Sequence, residues 1–316
     1  MFQIPLSELN EGDIFNDSFL LIKAITERTS QTGKLYCDIT LADRDSEISA
    51  KLWEANKDGL KSGMVVKVRG TVQSWQNKLQ LVIEKIRPVK PEDNIDYSVI
   101  VPTPPFDPAD MYKEVCRYGD SIQDEGLKAI VKTILSEEKD RLFTAPAAKT
   151  NHHSERGGLL HHIFGVLKAA EAMCKLYDIL NRDIMIAGAI LHDICKLDEM
   201  DYNELGIVND YTVEGNLIGH LVLGAIRIAK TAERLGVDSE RALILEHIMI
   251  THHGEPELGA VRTPMFPEAE MLHHLDIIDA RMYDYNKALK SIDKGQFSDW
   301  VRLLERRLYK HGLSKI

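Results

Sequence analysis

Five short stretches of this chain carry a histidine or an aspartate of the kind that binds a buried metal: Leu160-His161-His162, Leu191-His192-Asp193, Gly219-His220, Thr251-His252-His253 and Leu275-Asp276. Eleven of the 12 histidines lie between His152 and His274, and only His311 falls outside. Imidazoles and carboxylates gathered from several helices build sites that activate water on a metal. A lone histidine on an amphipathic helix is more often a hydrogen-bonded core or surface residue. Spacing shifts that balance. From His162, through His192 with Asp193, His220, and His252 with His253, to Asp276, the steps are 30, 27, 32 and 23 residues. Each step is about one helix and its return, so each candidate can come from a different helix of one bundle.

The elements that must position these residues begin at Pro108, where the apolar pattern takes the helical period. Helices are predicted over 110–118, 121–136, 159–180, 183–195, 217–235, 239–250, 268–291 and 298–309, several with Ser, Asp or Asn near the start. In the helix after Gly158, the positions Ile163, Val166, Leu167, Ala170, Met173 and Cys174 form an apolar face, and His162 sits beside its first turn. The His192-Asp193 pair, followed three residues later by Lys196, ends a helix whose other neighbours, Ile184 to Leu191, are apolar.

Before Pro108 the pattern differs. From Phe19 to Val89 apolar residues alternate in short runs: Leu35, Cys37, Ile39 and Leu41, then Ile48, Ala50 and Leu52, then Met64, Val66 and Val68, then Leu79, Leu81 and Ile83. Turn residues separate them at Thr32-Gly33, Asp43 to Asp45, Lys57 to Gly63 and Gln76-Asn77-Lys78. With Phe19 to Ile25 as the first strand, this predicts a five-stranded antiparallel sheet closed into a small barrel such as an OB-fold. The stretch from Pro88 to Pro108, with five prolines beyond Pro88, has no helical period and little to pack. It reads as a stiff linker. The expected organisation is therefore multidomain α+β: a β-barrel over 1–90, a linker over 91–108 and an all-α bundle over 109–316.

Bulk properties bound the function. At 316 residues the chain can bury two modest cores. Its net charge of −10 argues against a strongly basic nucleic-acid binder, but the charge is uneven. Residues 1 to 90 hold 13 Lys plus Arg against 12 Asp plus Glu, near +1, whereas the other 226 carry about −11. Bound divalent cations would offset part of that acidity. Four cysteines without a CxxC pair argue against a disulfide framework or a zinc ribbon. The start lacks a signal-peptide pattern, and the longest strongly apolar run, Ile184 to Leu191, is too short to span a bilayer, so a cytoplasmic protein with no membrane partner is expected.

The His, His-Asp and Asp pattern over roughly 150–290, with LHDICK as its most specific piece, resembles the HD superfamily of metal-dependent phosphohydrolases. That resemblance implies His162, His192, Asp193 and Asp276 around a first metal, Asp193 bridging, and His220, His252 and His253 around a second. Within this set two assignments stay open. His252 and His253 are sequential, and helical neighbours diverge by about 100°, so one could contact substrate instead. His161 competes with His162. His162 is chosen because it precedes the core face. Five imidazoles with few carboxylates suit Mn, Fe, Co, Zn or Ni better than Mg. Two such ions generate hydroxide at neutral pH and clamp the attacking and leaving oxygens of a phosphoester. Asp193 and Lys196 are the catalytic candidates, Lys196 as a point charge for a phosphoryl oxygen, with a solvated helix-end lysine as the plainer alternative. Arg156, ahead of Gly157-Gly158, could present a guanidinium and backbone amides to phosphate, or the glycines merely let the chain turn.

The barrel narrows the substrate. If Leu35, Ile39, Ile48, Ala50 and Leu52 face inward, then Tyr36, Lys51, Trp53, Lys67 and Arg69 face outward, with Trp75 near the next turn. Aromatics beside basic residues meet the two needs of single-strand binding, stacking and backbone attraction; an ordinary mixed surface is the alternative. The order of barrel, linker and HD domain, with the segments GGLLHH, LHDICK, GNLIGH and ITHHGE, resembles the YhaM family of 3′→5′ exoribonucleases over nearly the whole chain. That resemblance implies an enzyme with two divalent transition-metal ions, manganese favoured and Co2+, Fe2+ or Ni2+ acceptable, that trims single-stranded RNA, with single-stranded DNA as an alternative substrate, from its 3′ end to nucleoside monophosphates. Two other classes stay open: a phosphohydrolase of small or cyclic nucleotides, and a nucleic-acid-binding module with a structural metal. Homo-oligomerisation is compatible with the composition, and no residue demonstrates it.

Overall fold

Alternation of apolar and polar residues with β-branched content builds the first part of the chain. The computed structural model describes residues 4–30, 32–53, 59–76, 78–149, 152–290 and 292–315; Lys57, Asn77 and Ser291, used above to bound elements, lie outside them. Strands β1 (Ile14–Thr29), β2 (Leu35–Ala42), β3 (Glu47–Trp53), β4 (Val65–Trp75) and β5 (Lys78–Pro88) close into a barrel in the order β1-β2-β3-β5-β4. The first strand is longer than the expected Phe19 to Ile25. Its first half pairs with β4 and its second with β2, with register shifts at Phe15/Ser18 and Ile22/Ala24 that bend it from one neighbour to the other. Four pairings are antiparallel, and the parallel β3–β5 pair closes the barrel.

Ile39, Leu41, Ala50, Leu52, Val66, Val68, Val72 and Leu81 fill the barrel interior. Each fully buried aliphatic side chain of this kind contributes about 1.5–3 kcal/mol. Leu35, expected to face inward, is 66% exposed, because it begins β2 beyond the reach of the core.

The proline-rich stretch was expected to have little to pack, yet Ile100 and Val101 are buried. Arg87 holds Asp93 at 2.7 Å, the Asp96 carboxylate caps a short turn at Tyr97–Val99, and the Arg44 amide donates to the Val99 carbonyl at 3.2 Å. By its contacts the chain divides into Met1–Thr103 and Pro104–Ile316.

The second unit is helical: α1 (Pro108–Asp120), α2 (Glu125–Leu142), α3 (Gly158–Leu176), α4 (Arg182–Leu191), α5 (Lys196–Glu199), α6 (Val213–Leu217), α7 (Gly219–Leu235), α8 (Ser239–Thr251) and α9 (Pro267–Lys290). Asp107, Asp124, Asn181 and Asp238 cap α1, α2, α4 and α8 through their side chains, satisfying amides that lack a helical partner. Buried residues from Met185 to Leu191 make α4 the central helix, packed by α3, α8 and α9. Two small hairpins interrupt the helices, β6 (Met200–Tyr202) with β7 (Val208–Tyr211) and β8 (Phe297–Val301) with β9 (Arg306–Tyr309).

The second hairpin overturns the helix expected over 298–309. Trp300, Val301, Leu303, Leu304 and Leu308 mimic a helical period, but Glu305 adopts a left-handed φ of 51° and turns the chain back. Ser298 then ties the strands, its Oγ accepting from the Leu308 amide and its carbonyl from Arg307 Nε, both at 2.9 Å.

Candidate metal centre

Helix ends deliver His192, Asp193, His220, His252 and His253 to one place, where His162 from α3 and Asp276 from within α9 meet them. His162 lies in α3, and His192 and Asp193 follow the last residue of α4. His220 is the second residue of α7, His252 and His253 follow α8, and Asp276 lies in α9. Sequential His252 and His253 would diverge inside a helix, but α8 stops at Thr251 and Gly254 turns at φ 79°. Their rings lie 4.7 Å apart, and the His253 ring is 5.1 Å from that of His220. Nitrogens of His220, His252 and His253 can thus share one ion, as can His162, His192 and Asp193.

Asp193 stands between the two groups. Its Oδ1 is 3.5 Å from His220 Nε2 and from His252 Nε2; its Oδ2 is 3.4 Å from His162 Nε2 and 3.5 Å from His192 Nε2. Asp276 Oδ1 adds a second carboxylate 3.2 Å from His162 Nε2. Both Asp193 oxygens, His220 Nε2 and His252 Nε2 are buried without a hydrogen-bond partner. Burial of that many lone polar atoms is costly unless cations ligate them. The donor set therefore fits divalent cations.

The far side of each ring is fixed. His192 Nδ1 donates to the Ala189 carbonyl at 3.0 Å and His252 Nδ1 to the Met249 carbonyl at 2.9 Å, so each Nε2 lone pair faces the centre. Glu199 holds His220 Nδ1 at 3.0 Å, and Asp279 holds His162 Nδ1 at 2.8 Å. Such outer partners set the tautomer and raise ligand basicity. Burial pushes His192 down to about 3 and, with His252 and His220 adding to it, His253 down to about 4, keeping both neutral, the form that ligates. Burial also opposes charge on His162, but Asp276 and Asp279 outweigh it and raise that imidazole to about 10. Asp193, despite burial, is held well below the usual carboxylate range by Lys196 and His192. The pocket is built for positive charge.

Lys196 is no solvated helix-end lysine. Its side chain is 12% exposed and its Nζ forms an ion pair with Asp193 Oδ2 at 2.7 Å. Arg156 is placed elsewhere: its Nε donates to the Glu204 carbonyl at 2.9 Å, in the β6–β7 turn. The glycines after it serve packing. Gly157 has φ 77°, and a Cβ on Gly158 would stand 2.0 Å from the His153 carbonyl oxygen.

In the barrel the five outward candidates fall into two groups. Tyr36 and Trp53 oppose each other across β2 and β3 with ring centroids 4.9 Å apart, and Lys51 Nζ lies 5.3 Å from the Tyr36 ring. Lys67 and Arg69 lie on β4, beside a groove of about 660 Å³ also lined by Lys85 and Arg87. Each of the three expected cations has an acid: Asp38 is 2.6 Å from Lys51, and Asp17 is 3.5 Å from Lys67 and 3.1 Å from Arg69. Trp75 is 62% exposed.

Sequence reasoning missed Asp279, Glu199, His153 and Glu155. Asp279 follows Asp276 by three residues and Glu199 follows Lys196 by three, spacings that share a helix face. His161, the rejected alternative to His162, points instead to His153 and Glu155.

Two known families match parts of the chain. Residues 21–89 match the OB-fold nucleic acid binding domain family and 159–281 the HD domain family. The 3'-5' exoribonuclease YhaM of Geobacillus sp. (strain WCH70) is 35% identical over 305 residues, 95% of this chain and 93% of the relative. Those of Bacillus subtilis (strain 168) and Listeria innocua are each 34% identical, over 93% and 92% of this chain and 93% of each relative. With a third of its residues shared along nearly its whole length, this chain belongs to the YhaM family of 3'-5' exoribonucleases.

Proposed function

We propose that this protein is a metal-dependent 3′→5′ exoribonuclease that removes nucleoside monophosphates from the 3′ end of single-stranded RNA, and accepts single-stranded DNA. The observation that carries the reading is the carboxylate of Asp193, buried without a hydrogen-bond partner, with each oxygen addressed to a different pair of imidazoles. In this reading His162, His192 and Asp276 hold one ion, His220, His252 and His253 the other, and Asp193 lies between. When bound, two divalent transition-metal ions, with Mn2+ preferred over Co2+, Fe2+ or Ni2+, supply hydroxide at neutral pH and neutralise phosphate charge.

The chain's own residues do the rest. Lys196 keeps Asp193 ionised and offers its ammonium to a phosphoryl oxygen arriving beside that carboxylate. No serine or cysteine nucleophile is needed. In the barrel, Tyr36 and Trp53 give a stacking platform, while Lys51, Lys67 and Arg69, already paired with acids, contact the RNA backbone only by exchanging those partners. Arg156 at the β6–β7 turn serves as an outlying phosphate contact. Function divides accordingly into a strand-binding part over 1–90, a connector over 91–108 and a catalytic part over 109–316. No helix among the described residues is long and apolar enough to cross a membrane. The four cysteines, spaced without a CxxC pair, fit work in the reducing cytoplasm.

The test is digestion of an RNA with a single-stranded 3′ overhang on a duplex, with Mn2+ added. Shortening one nucleotide at a time that stops at the duplex is expected, with monophosphates as product. Hydrolysis confined to mononucleotides or cyclic nucleotides overturns the reading.

A further inference from the structure

Beside the Asp193 centre lies a second convergence of ligands. His153 Nδ1, His161 Nδ1 and Glu155 Oε1 stand 3.2, 2.9 and 3.7 Å from one another, His153 to His161, His161 to Glu155, and His153 to Glu155. Ligands of a tetrahedral ion bound at 2.0–2.1 Å are separated by about 3.3 Å. His153 and Glu155 are buried and His161 is 17% exposed at its side chain.

The outward contacts leave three donor atoms turned to one point. His153 Nε2 lies 2.9 Å from Asp279 Oδ2, so Nδ1 is the nitrogen turned to His161 and Glu155. Glu155 Oε1 offers lone pairs to the same point. The outer contacts are those of a ligand set: Asp279 grips the far nitrogen of His153, and the Tyr283 hydroxyl donates to Glu155 Oε2 at 3.0 Å.

We propose that His153, Glu155 and His161 form an additional site for a divalent transition-metal ion of the Zn2+ or Co2+ type. It needs none of the ligands of the Asp193 centre. The adjacent residues His161 and His162 face different clusters because α3 rotates them about 100° apart. Asp279 Oδ2 links the two, bonded to His153 Nε2 at 2.9 Å and to His162 Nδ1 at 2.8 Å. An ion here fixes His153, and through Asp279 the orientation of His162.

The test counts ions. The metal-depleted full-length protein is loaded with Co2+, passed through a desalting column and assayed by plasma mass spectrometry, alongside His161→Gln and Glu155→Gln. Each variant is expected to retain one Co2+ fewer per chain than the parent. Equal counts in parent and variants overturn the site and leave the cluster as a hydrogen-bonded strut. The same subtraction in an Asp193→Asn background, comparing it with Asp193→Asn/His161→Gln, is expected to show the same loss of one ion; its absence there also overturns the site. His161→Gln, at the partly exposed corner, retains the buried His153 and Glu155, and its thermal melt reports that the fold is intact. Failure of the Asp193 centre reads differently, as a Co2+ count unchanged by Asp193→Asn alone.

Discussion

At Asp193 a buried carboxylate is flanked by four imidazole nitrogens and one ammonium, and its role follows from what changes when its charge goes. Asp193→Asn keeps the volume and removes the charge. Hydrolysis of RNA should vanish, whereas single-strand binding, measured by fluorescence anisotropy, should change little; retained hydrolysis would refute the bridging assignment. The substitution also leaves Lys196 buried without its counter-charge, and breaking a buried pair in this way costs about 3–5 kcal/mol. A lowered melting temperature is therefore expected together with the lost activity. The residue types alone pointed to His192-Asp193, since an adjacent pair at the end of an apolar helix has few other uses. They did not point to Asp279 or Glu199, because a carboxylate that orients an imidazole looks in sequence like any exposed acid on a helix.

Elements deliver most of these residues through their ends. The turn after α8 brings His252 and His253 to one side only because Gly254 takes φ 79°, and a Cβ there would stand 2.3 Å from the His273 ring. His273 in turn donates from Nδ1 to the His252 carbonyl at 2.9 Å. Gly254→Ala should destabilise the protein by about 1–3 kcal/mol through backbone strain and weaken Mn2+ binding, read by calorimetric titration; unchanged metal affinity would show that the turn does not set the ligands. A different element end gives a pH test. Asp124 caps α2 and contacts Arg241 at 2.6 Å. The hydrogen bonds from Arg241 hold the Asp124 carboxyl below its ordinary value in the folded state. Its stabilisation is therefore complete above the unfolded carboxylate pKa, about 3.9, and fades as pH falls through the depressed folded value. The melting-temperature gap between the parent and Asp124→Asn should be constant from neutral pH to about 5 and narrow below about 4; a gap that widens on acidification contradicts this. The helical period located most helices, yet it misread 298–309, where apolar spacing fits both a helix and a hairpin and Glu305 decides for the turn.

For the whole molecule, the separation of a strand-binding barrel from a metal-binding bundle predicts separable kinetics. Trp53→Ala removes one face of the Tyr36–Trp53 platform. Stacking is worth about 1–3 kcal/mol per base, so KM for a single-stranded oligonucleotide should rise by roughly 5–150-fold with kcat unchanged, and hydrolysis of a dinucleotide should be unaffected. A fall in kcat at constant KM would show that Trp53 does not act through binding. The change from two-residue to helical periodicity at Pro108 already separated barrel from bundle. The 23-to-32-residue ligand spacing already assigned the histidines to different helices, because periodicity and spacing are properties of the chain itself. Only the tertiary structure decided that His162 rather than His161 joins Asp193, that His252 and His253 can converge, and that Lys51, Lys67 and Arg69 are each held by an acid. Those outcomes depend on where helices stop and which side chains meet across them, and such distances between residues remote in sequence exist only once the chain has folded.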